Sequence, residues 1–142
     1  MTTLAKIGWG AEFHLHDGTA LVELAEVTAI PTPEPTNDIV DATHFKSAEA
    51  FREYIVGLVE AGQGEIGLNY APGSATATKI QAARAAREPR AYKIVIPTAT
   101  GTWEIQGNLI VVSVGKEIPI DDRMMLTVNV QFTGPETEAA GA

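Results

Sequence analysis

Cysteine is absent from the 142 residues, which removes disulfides, thiolate zinc sites and cysteine nucleophiles from consideration. Basic residues are scarce: ten Lys and Arg stand against eighteen Asp and Glu, a formal charge of −8. Affinity for nucleic acid comes mostly from neutralised phosphates, so this balance argues against a protein that grips DNA or RNA. No apolar run approaches the ~20 residues that span a bilayer, so no membrane insertion is expected. The N-terminal stretch MTTLAKIGWGAEFHLHDG also lacks the apolar core and small-residue cleavage site of a signal peptide, and the expectation is a chain made and folded in a cytoplasm. There is no glycine-rich phosphate loop, no Gly-x-Ser-x-Gly and no His-Glu-x-x-His. Asp121 and Asp122 adjoin a strand, where neighbours point to opposite faces, so the pair suits a turn better than a shared acid–base site. His14 and His16 share a strand face, but no third fixed ligand accompanies them. Neither an enzyme nor a bound cofactor or metal is expected.

What is present is a chain of single-domain length with ordinary composition, 45% hydrophobic and 20% charged. Its charge is lopsided. Residues 1–70 hold eleven acids and three bases and carry the whole −8, while the remainder balances at seven of each. Residues 1–19, with Trp9, Phe13 and Leu15 among glycines, read as an extended N-terminal arm that packs by its aromatics. Residues 20–30 read as one strand, ended by Pro31. Pro31, Pro33 and Pro35 then make a stiff spacer. Residues 65–70 alternate, with Ile66, Leu68 and Tyr70 on one face. Residues 74–88 are the one clear helix: alanine-rich, capped by Ser74 or Thr76 and stopped by Pro89. Three strands follow. Tyr92, Ile94 and Ile96 share a face, as do Trp103 and Ile105. Past Gly107, read as a bulge, the run from Leu109 to Val112 is expected to be covered on both sides. Met124, Leu126, Val128, Val130 and Phe132 alternate with polar residues, and the tail at 135–142 is expected to be disordered. So many strands with one helix imply a small β-sandwich or barrel with the helix packed alongside.

The segment at 39–64 resists this scheme. It carries Phe45, Phe51, Tyr54, Ile55, Val56, Leu58 and Val59 on what reads as a connection, with at most a brief helical turn over 48–52. Gly57, Gly62 and Gly64 argue against a long helix. Bulky apolar groups on a connection either lid the domain's own core or dock on a partner.

The same region carries a family pattern: Asp41 and Thr43, then Phe51-Arg52-Glu53-Tyr54-Ile55-Val56-Gly57-Leu58, then Gly64-Glu65 and Asn69-Tyr70-Ala71-Pro72. Downstream come Arg87-Glu88-Pro89, Trp103-Glu104-Ile105-Gln106-Gly107, Asp121-Asp122 and Thr133-Gly134. In this ordered set, roughly from Val22 to Gly134, the chain resembles the major tail tube proteins of long, non-contractile bacteriophage tails. Ala71 stands where that family usually has an acidic residue. The resemblance implies a mainly β fold of the tail tube type with one flanking helix and a long extended arm. It places the tube domain at 20–134 and the inter-subunit arm at 39–64, with arm contacts on Phe45, Phe51, Arg52, Tyr54, Ile55 and Leu58. It implies a virion structural protein that forms hexameric rings stacked into a tube. Its partners would be further copies of itself, a tape measure protein, a distal tail or baseplate initiator and a tail terminator. The protein would end in the virion tail after assembly in the host cytoplasm.

Several strands pair an apolar face with an uncharged or acidic one: Glu65 and Asn69; Glu104, Gln106 and Asn108; Thr127, Asn129 and Gln131. None of these sets contains Lys or Arg. Such faces could line the lumen of a closed tube that DNA passes without specific binding. A tube protein of a contractile tail or secretion system fits the same pattern, and a small-ligand-binding β-barrel is a more distant alternative.

Overall fold

The computed structural model describes residues 7–141. Period-two alternation dominates and produces, among the described residues, nine strands: β1 (Glu12–His16), β2 (Leu21–Glu23), β3 (Val27–Ala29), β4 (Thr36–Asp41), β5 (Tyr54–Glu60), β6 (Gln63–Asn69), β7 (Arg90–Thr98), β8 (Gly101–Glu117) and β9 (Met125–Ala140). The helix α1 (Ala75–Ala86) lies between β6 and β7. Seven strands form one antiparallel sheet in the order β2-β1-β7-β8-β9-β6-β3, and β4 pairs only with β5. The two edge strands, β2 and β3, are joined by residues 24–26 alone. Laid flat, they would sit about 29 Å apart at the usual strand spacing. A link of this length reaches roughly 14 Å. The sheet must therefore curl until its edges approach, and its concave side becomes the core.

That core takes one face of every long strand: Phe13 and Leu15 from β1, Ile66 and Leu68 from β6, Tyr92 and Ile94 from β7, Ile105, Leu109 and Val111 from β8, and Leu126, Val128, Val130 and Phe132 from β9. Phe13 stacks on Tyr92 at 5.9 Å between centroids, and Tyr92 meets Phe132 at 5.4 Å. Burial holds the Tyr92 phenol well above its ordinary range, up to about 12, with the Glu136 carboxylate adding to the effect. A Cβ on Gly107 would stand 2.9 Å from the Tyr92 hydroxyl, so the ring occupies the space that glycine leaves on the facing strand.

The helix closes the bowl with Ile80 and Ala83, packing mainly against β8. Alanine methyls allow this close approach. The Ser74 hydroxyl accepts a hydrogen bond from the Ala77 N–H at 3.3 Å, and Arg87 ends the helix in the left-handed region at φ 56°.

Several expectations need correction. The N-terminal segment is no separate arm from Ala11 onward: β1 lies inside the sheet between β2 and β7, because Phe13 and Leu15 alternate with Glu12, His14 and His16. Trp9 does not anchor it, being 85% exposed. Residues 1–6 of that expected arm lie outside the described residues. The single strand expected at 20–30 is two: Glu26 takes φ 55° and Leu24 turns into the core. The run past Gly107 is not covered on both sides, since Leu109 and Val111 are buried while Val112 is exposed. The tail is not disordered as far as Ala140. Its end pairs with the start of β8, Thr137 facing Gln106 and Ala140 facing Trp103. β8 overhangs the body and offers free backbone groups, and a local irregularity at Gly134 (φ 73°) keeps the two strands in step.

Candidate functional site

Two surfaces stand out. The first is the sheet face turned away from the core. Strand register brings Glu65 opposite Asn129, and Asn129 opposite Ser113, where its amide donates to the Ser113 hydroxyl at 2.9 Å. Gln63 and Ile110 flank Gln131, Gly67 and Gly115 flank Thr127, and Asn69 and Glu117 flank Met125. Further along β8, Asn108 faces Ala91 and Thr133, and Gln106 faces Lys93 and Thr137. Facing residues in an antiparallel pair project to the same side. Glu65, Asn69, Glu104, Gln106, Asn108, Thr127, Asn129 and Gln131 therefore all share one face, as their sequence alternation implied.

Sequence reasoning missed the far half of this face. β1 and β7 extend it with Glu12, His14, His16 and Lys93. Lys93 is its one basic side chain among the described residues, and Glu104 sits 3.5 Å from its ammonium. His14 lies 3.7 Å from the Glu12 carboxylate. The His16 imidazole accepts the Gly18 N–H at 3.0 Å, so it serves the β1–β2 turn. No group of three His, Cys, Asp or Glu suited to a metal occurs among the described residues. Gln131 has a different task from its neighbours: its amide donates to the Gly62 carbonyl at 2.8 Å and pins the root of the next surface.

That second surface is the β4–β5 hairpin. The segment at 39–64 is a two-stranded ribbon, with Ile39 facing Val56, Val40 facing Ile55 and Asp41 facing Tyr54, and one register shift near Gly57. β-branched residues at facing positions favour this pairing over a helix. A single 3-10 turn (Ala48–Ala50) sits at the tip, with Glu49 and Ala50 at positive φ. Of the expected arm residues, Phe45 is fully exposed, Leu58 is 83% exposed and Phe51 69%, while Tyr54 and Ile55 are more than half exposed. The hairpin lids no part of its own core: β4 and β5 pack on each other and on no other element to a comparable extent. Arg52 turns back to Asp41 at 3.2 Å. The Thr43 hydroxyl and N–H, and after them Arg52, hold the Asp41 carboxyl below its ordinary range. Glu53 accepts from the Ser47 hydroxyl at 2.7 Å. These polar links set the shape of the tip and leave its apolar groups outward.

A family model described as lambda phage tail tube protein, TTP, matches residues 13–139. The chain belongs to the lambda phage tail tube protein family. It is thus a virion structural protein of the phage tail tube, and the family is a structural one, without enzymatic activity. The tail tube fold is shared with solved structures at low identity. The tail of an empty gene transfer agent particle, refined with C6 symmetry, is 16% identical with a TM-score of 0.74, covering 96% of this chain and all of that one. The SPP1 tail tube is 12% identical with a TM-score of 0.66, covering 95% of this chain and 79% of that one. The sheath–tube complex of an extracellular contractile injection system includes a chain 10% identical with a TM-score of 0.62, covering 92% of this chain and 88% of that one. No curated protein sequence matches this one.

Proposed function

We propose that copies of this tail tube protein assemble as hexameric rings stacked into the tube, the conduit for genome ejection, with the polar sheet face toward the bore and the hairpin on a neighbouring copy. The observation that carries this reading is the division of the surface. Uncharged and acidic side chains gather on one face, whose lysine is matched by Glu104, while exposed apolar side chains gather on the hairpin. A wall of amides, hydroxyls and carboxylates gives phosphates little to hold. A ribbon with bulky side chains on both sides gains stability only when something covers it. In the proposed assembly a tape measure protein fills the bore before DNA passes. A distal tail or baseplate initiator starts the polymer, a terminator caps it, and assembly takes place in the host cytoplasm. The contractile injection system shares the fold, so fold does not separate the two contexts; the match to the lambda tail tube family favours the non-contractile one.

Negative-stain microscopy of the purified protein across a concentration series tests this reading. Hollow tubes or stacked rings are the expected result. A chain that stays monomeric at every concentration, also when seeded with tail tips, contradicts it.

A further inference from the structure

Two apolar surfaces are exposed among the described residues, and the segments that carry them leave the body at opposite ends of β6. The hairpin leaves the body where β6 begins, with the Gly62 carbonyl accepting the Phe132 N–H at 2.9 Å. The β8–β9 loop, residues 118–124, closes the other end, beyond the pairing of Glu117 with Met125. From Met125 to Gln131 the strand covers about 20 Å. In the loop, Ile118 is 68% exposed and Ile120 fully exposed. Two carboxylates follow. Asp122 accepts the Arg123 N–H at 2.7 Å, and neither it nor Asp121 forms an ion pair among the described residues. At the hairpin tip, the fully exposed Phe45 stands beside Lys46, which likewise forms no ion pair there, whereas Arg52 is engaged by Asp41. The tip thus presents an aromatic ring next to an ammonium with no ion pair among the described residues, and the loop presents two isoleucines next to two carboxylates likewise without one.

We infer that the hairpin tip of one copy seats on the β8–β9 loop of another, Phe45 against Ile118 and Ile120, Lys46 against Asp121 and Asp122. This deepens the tube reading and rests on it. Each copy offers one tip and one loop, carried by segments rooted at opposite ends of β6, and used head to tail the contact is heterologous, so repetition extends an open stack. The apolar part supplies affinity, and the charge pairing fixes which loop the tip selects.

The absence of cysteine makes the test direct, since Phe45→Cys and Ile120→Cys variants each carry a single thiol. The two variants are mixed, assembled and oxidised. A disulfide-linked dimer is expected in the mixture and in neither variant alone, and none when Phe45→Cys is mixed with Val112→Cys. Tubes that form normally without the 45–120 link overturn the contact and leave the tube reading standing. Failure of the unsubstituted chain to associate overturns both. A charge exchange gives a second route should a thiol variant assemble poorly. Lys46→Glu is expected to raise the concentration needed for assembly about tenfold, and adding Asp121→Lys with Asp122→Lys should restore it. A loss that the exchange leaves unrepaired overturns the contact.

Discussion

The curled-sheet body and the hairpin are built from the same kinds of residue and meet opposite fates. In the body, Phe13, Ile80 and Leu109 are completely buried; in the hairpin, Leu58 and Val59 remain largely open. The difference lies in what each strand can pair with. β8 and β9 each have a strand on both sides and a helix or a facing strand over the apolar side. β4 and β5 have only each other. Isolated two-stranded hairpins are marginal in water. Side-chain hydrogen bonds at the tip and the anchored root at Gly62 hold the shape, but the burial that normally stabilises a ribbon is missing. In the proposed assembly, apolar residues in the body report on folding, whereas those in the hairpin report on assembly.

Substitutions can break that comparison, and the largest effect belongs to the aromatic stack. Phe13→Ala or Tyr92→Ala should cost about 3–5 kcal/mol, read as a fall in the urea midpoint of the monomer. Leu58→Asp or Tyr54→Asp should leave that midpoint within ~0.5 kcal/mol while abolishing polymer in sedimentation. A hairpin variant that unfolds the body as badly as Phe13→Ala would erase the distinction.

At the junction between the two regions the expected effect is smaller. A Cβ on Gly64 would stand 2.6 Å from the Pro31 Cβ and 2.9 Å from the Phe132 ring. Gly64→Ala should therefore cost about 1–3 kcal/mol by overpacking and displace the hairpin root, lowering both stability and assembly. Smaller again is Ser74→Ala, which removes the helix cap and should cost about 1 kcal/mol with assembly unchanged at temperatures well below unfolding.

The smallest effect is a pH dependence. Backbone N–H groups of Ala20 and Thr19, then the Thr19 hydroxyl and Lys79, hold the Asp17 carboxyl far below its ordinary range. A carboxyl lowered in the folded state adds stability above its unfolded value of 3.8, and that stability is lost as pH falls below it. Asp17→Asn should lower stability in the neutral region and flatten the acid limb of the stability curve between about pH 4 and pH 2, so that the two proteins converge at acid pH. Identical acid limbs in the two proteins would contradict this role.

Which parts of this were legible from sequence follows the same division. The helix from Ser74 to Pro89 was readable because its cap, alanine content and stop are local. The polar face was readable wherever alternation was clean, as from Met125 to Thr133. Its other half was hidden, because Glu12, His14 and Lys93 join it only through pairing of β1 with β7, nearly eighty residues away. The break at Leu24–Glu26 was hidden because it serves the closure of the sheet. The tail read as disordered because Thr137, Glu138 and the alanines have no apolar face; they are ordered by the overhang of β8 alone. That the bulky residues of this segment stand clear of the domain's own core was legible, while the strand form of the segment was not, since Gly57 and Gly62 obscure its alternation.

Hydrogen exchange measured on the free protein and on assembled tubes tests the account most directly. In the free protein, amides of β4 and β5 should exchange quickly and those of β6, β8 and β9 slowly; in tubes, the hairpin should become as protected as the body. A hairpin already protected in the free protein, or still open in tubes, would contradict the claim that its apolar side chains exist for a neighbouring copy.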